Sequence, residues 1–262
     1  MAENGIGEAL ASGLAGRIIL VTGASSGLGA HFAKLYAGYG AHVLLAARRT
    51  ERLAELKSDI KASGGKATSH ALDVSDPSSV EALFGDLQAG GTVPDVLINN
   101  AGIAHTALAL KTGEDDWQST IDTNLSGVFR VAKACAETMV SAGKSGSVIN
   151  IASILGLRVS AGLVPYAVSK AGVVQMTKAL ALEWARHGIR VNAVAPGYFE
   201  TEINSGYFKT EAGEDMIRRI PQRRIGNLQE LDGLMLLLAS DASSYMTGAV
   251  IPVDGGHLVS GL

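Results

Sequence analysis

Residues 17–29 read RIILVTGASSGLG, a short apolar run that leads into three closely spaced glycines. Apolar residues at helical spacing then continue to residue 39. A strand, a glycine-rich turn and a helix in this order form the context in which backbone N–H groups bind a dinucleotide pyrophosphate. The spacing Gly-x3-Gly-x-Gly departs from the usual Gly-x-Gly-x-x-Gly, so an ordinary strand-to-helix turn remains the alternative. The interpretation predicts a phosphate cradle formed by Gly23, Ser25, Ser26, Gly27, Leu28 and Gly29.

The rest of the chain repeats the alternation of strand and helix. Continuously apolar runs occupy residues 17–22, 42–47, 66–72, 95–99, 147–152, 189–194 and 249–253, and helical patterns occupy 28–39, 51–62, 78–88, 115–141, 165–186 and 228–240. Strands without polar alternation are typical of parallel sheets that are covered on both faces. The pattern predicts an α/β fold, a single-domain Rossmann-type doubly wound sheet of about seven parallel strands with helices on both faces.

Composition narrows the class of protein and its surroundings. The formal charge of −3 and the absence of a basic patch give no reason to expect a nucleic-acid or membrane partner. The single cysteine, Cys135, excludes an intramolecular disulfide and fits a reducing, cytoplasmic location. We expect a loose leader at 1–16 and one catalytic domain at 17–262, in which the weakly patterned segment 198–227 is a substrate lid.

The end of the second predicted strand indicates which nucleotide binds. Where an enzyme that uses NAD commonly has an acidic residue, this chain has Ala47, followed by Arg48 and Arg49. Guanidinium groups can hold a 2′-phosphate through charge-assisted hydrogen bonds, so NADP(H) is preferred. If the arginines only form a solvated helix entry, NAD(H) remains possible. Asp73, after the third strand, is placed to accept a hydrogen bond from the adenine amino group, whereas Asp76 is better explained as a helix cap.

Tyr166 and Lys170 are candidates for acid–base chemistry. They stand four residues apart at the start of a helical pattern and therefore share one helix face. A nearby ammonium favours the phenolate, so we expect Lys170 to lower the pKa of Tyr166. Such a pair is usually only surface packing, but Ser153 ends the preceding strand at the edge where open α/β sheets bind ligands. A phenol that protonates a carbonyl oxygen and a hydroxyl that polarises it would allow hydride transfer to the carbon without a metal.

In their order and spacing, these motifs resemble the short-chain dehydrogenase/reductase family over residues 17–257. The matching elements are Thr22-Gly23-x3-Gly27-x-Gly29, Asp73, Asn99-Asn100-Ala101-Gly102, Asn124, Ser153, Tyr166-x3-Lys170 and Pro196-Gly197. The resemblance implies an NAD(P)-dependent oxidoreductase that acts on a carbonyl or secondary alcohol. Tyr166 would be the proton donor and acceptor, Ser153 would orient the substrate, and Lys170 would hold the nicotinamide ribose. Asn124 would support a water chain to Lys170, unless it only satisfies neighbouring backbone groups.

The resemblance also implies the remaining contacts. Further cofactor contacts would come from Val74, Asn100, Ala101, Gly102, Pro196, Gly197 and Thr201, and substrate contacts from Ser153, Leu155, Tyr166, Tyr198, Tyr207 and Phe199. The histidines have no cysteine or carboxylate partners at ligand spacing, so no metal site is expected. Apolar helices at 131–142 and 173–185 and the apolar tail at 248–262 favour a homo-oligomer, either a dimer or a tetramer.

The substrate remains open at this stage. A 3-oxoacyl thioester, a sugar or polyol, a hydroxysteroid and an aryl ketone all suit such a centre. A basic surface formed by Arg218, Arg219, Arg223 and Arg224 would favour an acyl-carrier partner, although these arginines also fit a solvated helix face. A regulatory protein that binds a nucleotide without chemistry is a separate class, and it would be expected to have a damaged centre.

Overall fold

The computed structural model describes residues 13–200, 206, 208 and 210–260. Its centre is a seven-stranded sheet in the order β3-β2-β1-β4-β5-β6-β7, and every neighbouring pair is parallel. The strands are β1 (Ile18–Thr22), β2 (His42–Ala47), β3 (Lys66–Ala71), β4 (Val96–Asn99), β5 (Gly146–Ile151), β6 (Ile189–Pro196) and β7 (Val250–Val253). The prediction of a doubly wound parallel sheet is confirmed.

The helices comprise the six predicted stretches and one more within the weakly patterned segment 198–227. They are α1 (Gly27–Gly38), α2 (Thr50–Ala62), α3 (Pro77–Ala89), α4 (Glu114–Ile121), α5 (Gly127–Ser141), α6 (Val164–Trp184), α7 (Glu211–Arg219) and α8 (Asp232–Ala239). The start of α3 has the expected cap, because the Asp76 carboxylate accepts a hydrogen bond from the Ser78 N–H and Pro77 occupies the first turn.

One helix prediction is wrong in detail. The helix expected to run unbroken over 115–141 is divided into α4 and α5 by a π-helical turn at Asp122–Ser126. Apolar spacing does not reveal such an insertion, because the flanking residues keep helical backbone angles and the helix axis continues. π-Helical turns are frequent at functional sites, and this one contains Asn124.

Two apolar layers cover the sheet. On one face, α1, α2 and α8 contribute Phe32, Tyr36, Leu53 and Met235 to a buried cluster. On the other face, α3, α5 and α6 pack against the same strands in a second buried cluster. Because both faces are covered, the central strands are buried and largely apolar, whereas the edge strand β3 is partly exposed and carries polar residues.

The topology determines where a ligand can bind. All seven strands run in one direction, so their carboxyl ends meet at one edge of the sheet. The chain reverses its direction of winding between the adjacent strands β1 and β4, and this switch point opens a crevice at that edge. Thr22, Asn99, Ile151 and Pro196 end their strands there.

Candidate active site

The glycine-rich turn between β1 and α1 has the backbone geometry that its sequence predicts. Gly23 adopts a φ of +64°, and a Cβ on Gly29 would lie 2.3 Å from the Gly23 carbonyl oxygen. The Ser26 side chain makes no capping hydrogen bond, and the first turn of α1 contains no acidic residue. The N–H groups at the start of α1 are therefore available to an anion, and the turn fits a pyrophosphate.

The turn after β4 fastens this cradle to the sheet. The Thr22 hydroxyl accepts hydrogen bonds from the backbone N–H groups of Asn100 and Ala101, at 3.0 and 3.1 Å. The Asn100 amide donates to the carbonyls of Thr22 and Gly23, at 3.0 and 3.3 Å. In the described structure, the Asn100 side chain therefore braces the glycine turn rather than presenting its amide to the crevice.

Arg48 and Arg49 follow β2 and extend toward the cradle. The Arg49 guanidinium donates to the hydroxyls of Ser25 and Ser26, at 2.9 and 2.7 Å. Arg48 lies 3.9 Å from the Asp73 carboxylate, and its side chain is 66% exposed. Arg49 thus contacts both hydroxyls of the cradle, Arg48 remains exposed beside it in sequence, and no carboxylate follows β2 directly.

Asp73 lies at the adenine side of the crevice. Burial raises its pKa, but hydrogen bonds from Ser75 and the charge of Arg48 outweigh burial, so the net pKa is below its ordinary value. One carboxylate oxygen accepts from the N–H and hydroxyl of Ser75, at 3.0 and 2.6 Å. Val74 is buried and lies close to Gly127. A Cβ added at Gly127 would lie 2.8 Å from the Val74 side chain.

Ser153 and Tyr166 meet at the end of β5. Ser153 caps the short 3-10 helix Ile154–Gly156, where its hydroxyl accepts from the Leu155 N–H at 3.1 Å. The Ser153 hydroxyl also lies near enough to the Tyr166 phenol to lower its pKa. Tyr166, in the first turn of α6, is half-buried, so its phenol remains within reach of a small ligand.

Lys170 lies one turn further along α6 and is buried. Its ammonium donates to the Ile151 carbonyl at 2.8 Å and lies 5.7 Å from the centroid of the Tyr166 ring. Burial lowers the pKa of Lys170 to about 8. The pKa of Tyr166 is raised by burial, and the Ser153 hydroxyl opposes this only in part. The expected lowering of the Tyr166 pKa by Lys170 is not seen in this structure, where burial is the largest cause and the charge of Lys170 is not among the causes of the shift.

Asn124 connects the π-helical turn to the loop after β4. Its Oδ1 accepts from the Ile103 N–H, and its Nδ2 donates to the Ile103 carbonyl, both at 2.8 Å. A Cβ on Gly102 would lie 3.3 Å from Asn124 Oδ1 and 3.7 Å from Lys170 Nζ. The missing side chain at residue 102 therefore leaves space between these two polar atoms.

A buried polar chain, which sequence reasoning missed, supports this centre. The Asn99 amide donates to Asn150 at 3.1 Å, and the Asn150 amide donates to the Thr177 hydroxyl at 2.9 Å. These contacts join β4, β5 and α6 beneath the site. Asparagines at the ends of otherwise apolar strands were the available signal, because a buried amide requires a partner.

The candidate substrate wall is partly as expected. Leu155 and Tyr198 belong to one apolar cluster with Tyr166. Phe199, expected in the same wall, instead packs into the main core and contacts Gly226. Its backbone also pairs with that of Gly226 in an isolated parallel bridge. Thr201 and Tyr207 lie outside the described residues.

The end of β6 packs closely against the segment that follows β7. The Gly197 N–H donates to the Val253 carbonyl at 2.9 Å, and a Cβ on Gly197 would lie 2.8 Å from Asp254. Pro196 and Gly197 therefore place a bare backbone at the carboxyl edge of the sheet. The close approach of Asp254 explains why residue 197 carries no side chain.

Two other features bear on the chemistry. Within the described residues, no group of three or more His, Cys, Asp or Glu side chains is gathered as a metal site. Cys135 is buried in the second core cluster, and burial raises its pKa to about 12, which makes the thiol unreactive. Across the same part of the chain, no helix has both the length and the apolar character to cross a membrane.

A dinucleotide cradle and a phenol, hydroxyl and amine at one edge of a parallel sheet define the class as an NAD(P)-dependent oxidoreductase. A family model described as enoyl-(acyl carrier protein) reductase matches residues 23–257. The chain is 40% identical over 247 residues to the 3-oxoacyl-(acyl-carrier-protein) reductase of Thermotoga maritima, covering 94% of this chain and 99% of that protein. It is 39% identical to the gluconate 5-dehydrogenase of Gluconobacter oxydans, with coverage of 94% and 96%.

Solved structures agree with these relatives. A gluconate 5-dehydrogenase from Burkholderia cenocepacia, in complex with NADP and tartrate, is 36% identical with a TM-score of 0.90. The match covers 94% of this chain and 97% of that one. The chain belongs to the short-chain dehydrogenase/reductase family.

Proposed function

We propose that this enzyme interconverts a ketone and a secondary alcohol with NADP(H), and that Tyr166, Ser153, Lys170 and Asn124 carry the chemistry. The observation that carries the proposal is the placement of Ser153 beside Tyr166, with the Lys170 amine buried one helical turn away and 5.7 Å from the Tyr166 ring centroid. The bound nicotinamide supplies the hydride for reduction. The protein handles the oxygen of the substrate.

Ser153 and Tyr166 act on the same substrate oxygen. The Ser153 hydroxyl donates a hydrogen bond that stabilises the negative charge developing there, and the Tyr166 phenol transfers its proton to that oxygen. Burial keeps Tyr166 protonated, which suits it to act as the acid in the reductive direction. In oxidation, the phenolate accepts the proton from the alcohol.

Lys170 and Asn124 return a proton to Tyr166 after it has protonated the substrate oxygen. Lys170, with its pKa lowered to about 8, can give or take a proton near neutral pH, and it also holds the nicotinamide ribose. The space beside Gly102 accommodates a water between Lys170 and Asn124, which would continue the relay to solvent. Asn124 then acts by positioning that water while it satisfies the Ile103 backbone.

The crevice holds the cofactor along its length. The glycine cradle binds the pyrophosphate, and Asp73, Val74, Ala101 and Gly102 line the adenosine side. Pro196 and Gly197 would line the space for the nicotinamide carboxamide. Arg48 and Arg49 hold the 2′-phosphate, which favours NADP(H) over NAD(H). Three of the solved relatives are described with NADP bound, and this supports the same preference.

A 3-oxoacyl thioester is the second candidate substrate, because several relatives are 3-oxoacyl-(acyl-carrier-protein) reductases at 37–40% identity. An acidic carrier protein requires positive charge beside the cleft. Arg224 pairs with Glu230 at 2.6 Å, and Arg218 pairs with Asp215, so two of the four candidate arginines are neutralised. Acetoacetyl-coenzyme A, compared with simple ketones, tests this candidate.

We further propose a homo-oligomeric, cytoplasmic enzyme. Phe129 and Val140 on α5, and Val168 and Leu182 on α6, expose between 41% and 82% of their surface and provide an apolar interface. The tail after Gly248 extends this interface. A monomer in light scattering at micromolar concentration would contradict the assembly.

The test of function is the loss of NADPH absorbance with a broad ketone panel. Tyr166→Phe removes the acid while it retains the ring, and we expect a rate lower by about a hundredfold to ten-thousandfold. Tyr245→Phe, a change at a fully exposed tyrosine, serves as the control. Unchanged turnover by Tyr166→Phe would refute the assignment.

A further inference from the structure

The last described turn of the chain packs against the same buried apolar cluster as Tyr166. Leu258, in the 3-10 turn His257–Val259, joins an apolar cluster that includes Tyr166, Tyr198 and Leu163. Leu258 is only partly buried, as are these three neighbours, whereas Ile154, Leu155 and Ala167 form the buried base of the cluster. Leu258 and Tyr166 therefore lie on one buried apolar base, and both side chains are partly exposed.

Arg158 holds this turn in place. Its guanidinium donates to the His257 carbonyl at 2.5 Å and to the Ser260 hydroxyl at 3.4 Å. Its own N–H donates to the Ile154 carbonyl at 2.9 Å, immediately after Ser153. Arg158 thus connects the segment that carries Ser153 to the C-terminal turn.

The turn also has internal support. The Asp254 carboxylate accepts from the N–H groups of Gly256 and Leu258, at 2.9 and 2.7 Å. The His257 ring lies 5.6 Å from the Tyr198 ring and is 8% exposed. Backbone groups and a buried ring position the turn. The Leu258 side chain is therefore not required for the turn to form, and it contributes to an apolar wall together with Leu163, Tyr198 and the cluster beneath them.

We propose that Leu258 determines substrate specificity, and that the wall it completes selects ketones carrying an alkyl or aryl group beside the reacting carbon. The described members of the wall are leucines, isoleucine, alanine and two aromatic rings, a lining that binds hydrocarbon and offers few partners to the hydroxyls of a sugar acid. The inference rests on the proposed function, since it places the substrate at Tyr166.

A series of methyl ketones from butan-2-one to octan-2-one tests the wall. Each methylene buried against it should raise kcat/KM about fourfold until the wall is covered. Calorimetry also measures the dissociation constant of each ketone from the complex of the enzyme with NADP⁺. These constants give the dependence of binding on chain length without turnover. A polyhydroxylated ketone of the same length should be the poorer substrate.

Variants assign the effect to Leu258. Leu258→Ser keeps the backbone bond to Asp254 and should reduce the gain to less than about twofold per methylene, whereas Leu258→Met should retain it. Val259→Ser is the matched control, because Val259 is the next residue and is 86% exposed. Arg158→Gln, which loosens the turn, should raise KM for the long ketones more than it changes kcat.

The outcomes separate the two proposals. If no ketone is reduced, or if Tyr166→Phe turns over as fast as the parent, the proposed function fails, and the binding series still tests the wall. If ketones are reduced but neither rate nor binding depends on chain length, the wall is refuted alone. The same conclusion follows if Leu258→Ser and Val259→Ser give equal dependence on chain length.

Discussion

The side-chain amide of Asn124 and the backbone of Ile103 are joined by two reciprocal hydrogen bonds of 2.8 Å each. This pairing fixes the loop after β4 against the π-helical turn and sets the width of the space beside Gly102. Asn124→Asp keeps the acceptor but loses the donor to the Ile103 carbonyl. We expect a loss of about 1–3 kcal/mol of unfolding free energy, measured by urea denaturation, and a larger loss of kcat/KM. Wild-type values in both measurements would contradict this role.

Gly29 tests the phosphate cradle. A methyl group at residue 29 would lie 2.3 Å from the Gly23 carbonyl, so Gly29→Ala should displace the turn and abolish NADPH binding in a fluorescence titration. Gly38→Ala, at the other end of the same helix, meets no atom within 4 Å. This control should bind normally and gain up to about 1 kcal/mol of stability. Normal binding by Gly29→Ala would remove the cradle from the proposed site.

Arg48 tests the choice of nucleotide. Arg48→Asp replaces a cation beside the proposed 2′-phosphate by an anion, and it should weaken NADPH by about 10- to 100-fold, or about 1.5–3 kcal/mol. NADH lacks the phosphate and should be affected much less. Arg186→Asp, an exposed change of the same charge far from the crevice, is the control. Equal weakening of both cofactors by Arg48→Asp would overturn the assignment.

Because of Lys170, we expect the free energy of unfolding to change with pH in the alkaline range. Burial lowers its pKa from 10.5 to about 8, so between these values the unfolded chain binds a proton that the folded chain does not. Stability then rises with pH across that window, by up to about 3 kcal/mol. Below pH 8 the full cost of the buried charge is present.

Denaturation of the wild type and Lys170→Met from pH 7 to 11 measures this effect. The stability of the wild type relative to the variant should rise with pH from about 8 upward, because only the wild type carries the titrating amine. Lys178→Met, an exposed change on the same helix, should show no such dependence. Parallel curves for the wild type and Lys170→Met would show that the amine is not desolvated.

The pKa of the Tyr166 phenol shifts in the opposite direction to the pKa of Lys170. Burial raises its pKa, so in the nucleotide-free protein Tyr166 should ionise above the ordinary value of 10. The difference in ultraviolet absorbance between the wild type and Tyr166→Phe during an alkaline titration isolates this group, and Tyr245→Phe controls for the loss of one phenol. Ser153→Ala should raise the pKa of Tyr166 further, because the Ser153 hydroxyl favours the phenolate. Ionisation of Tyr166 near neutral pH would contradict the cause assigned here.

Local sequence was sufficient for the sheet and for the cradle, because apolar runs, glycines and caps act within a few residues. Asp76 and Pro77 at the start of α3 are one example. The contacts that cross the chain were not accessible in this way. The bond from Arg158 to His257 spans 99 residues, and the π-helical turn at Asn124 depends on a loop 21 residues away. The pKa of Tyr166 likewise depends on burial, which spacing along a helix does not reveal.

The adjacency of β1 and β4 assigns different tasks to the two halves of the sheet. Strands β1 to β3 carry the residues proposed for the adenosine end, whereas β5 to β7 lead to those proposed for the reacting end. Substitutions after β2 can therefore change which coenzyme is used without moving the phenol, and substitutions in the C-terminal turn can change which molecule is reduced without disturbing the coenzyme. One fold can therefore change its coenzyme and its substrate independently of each other.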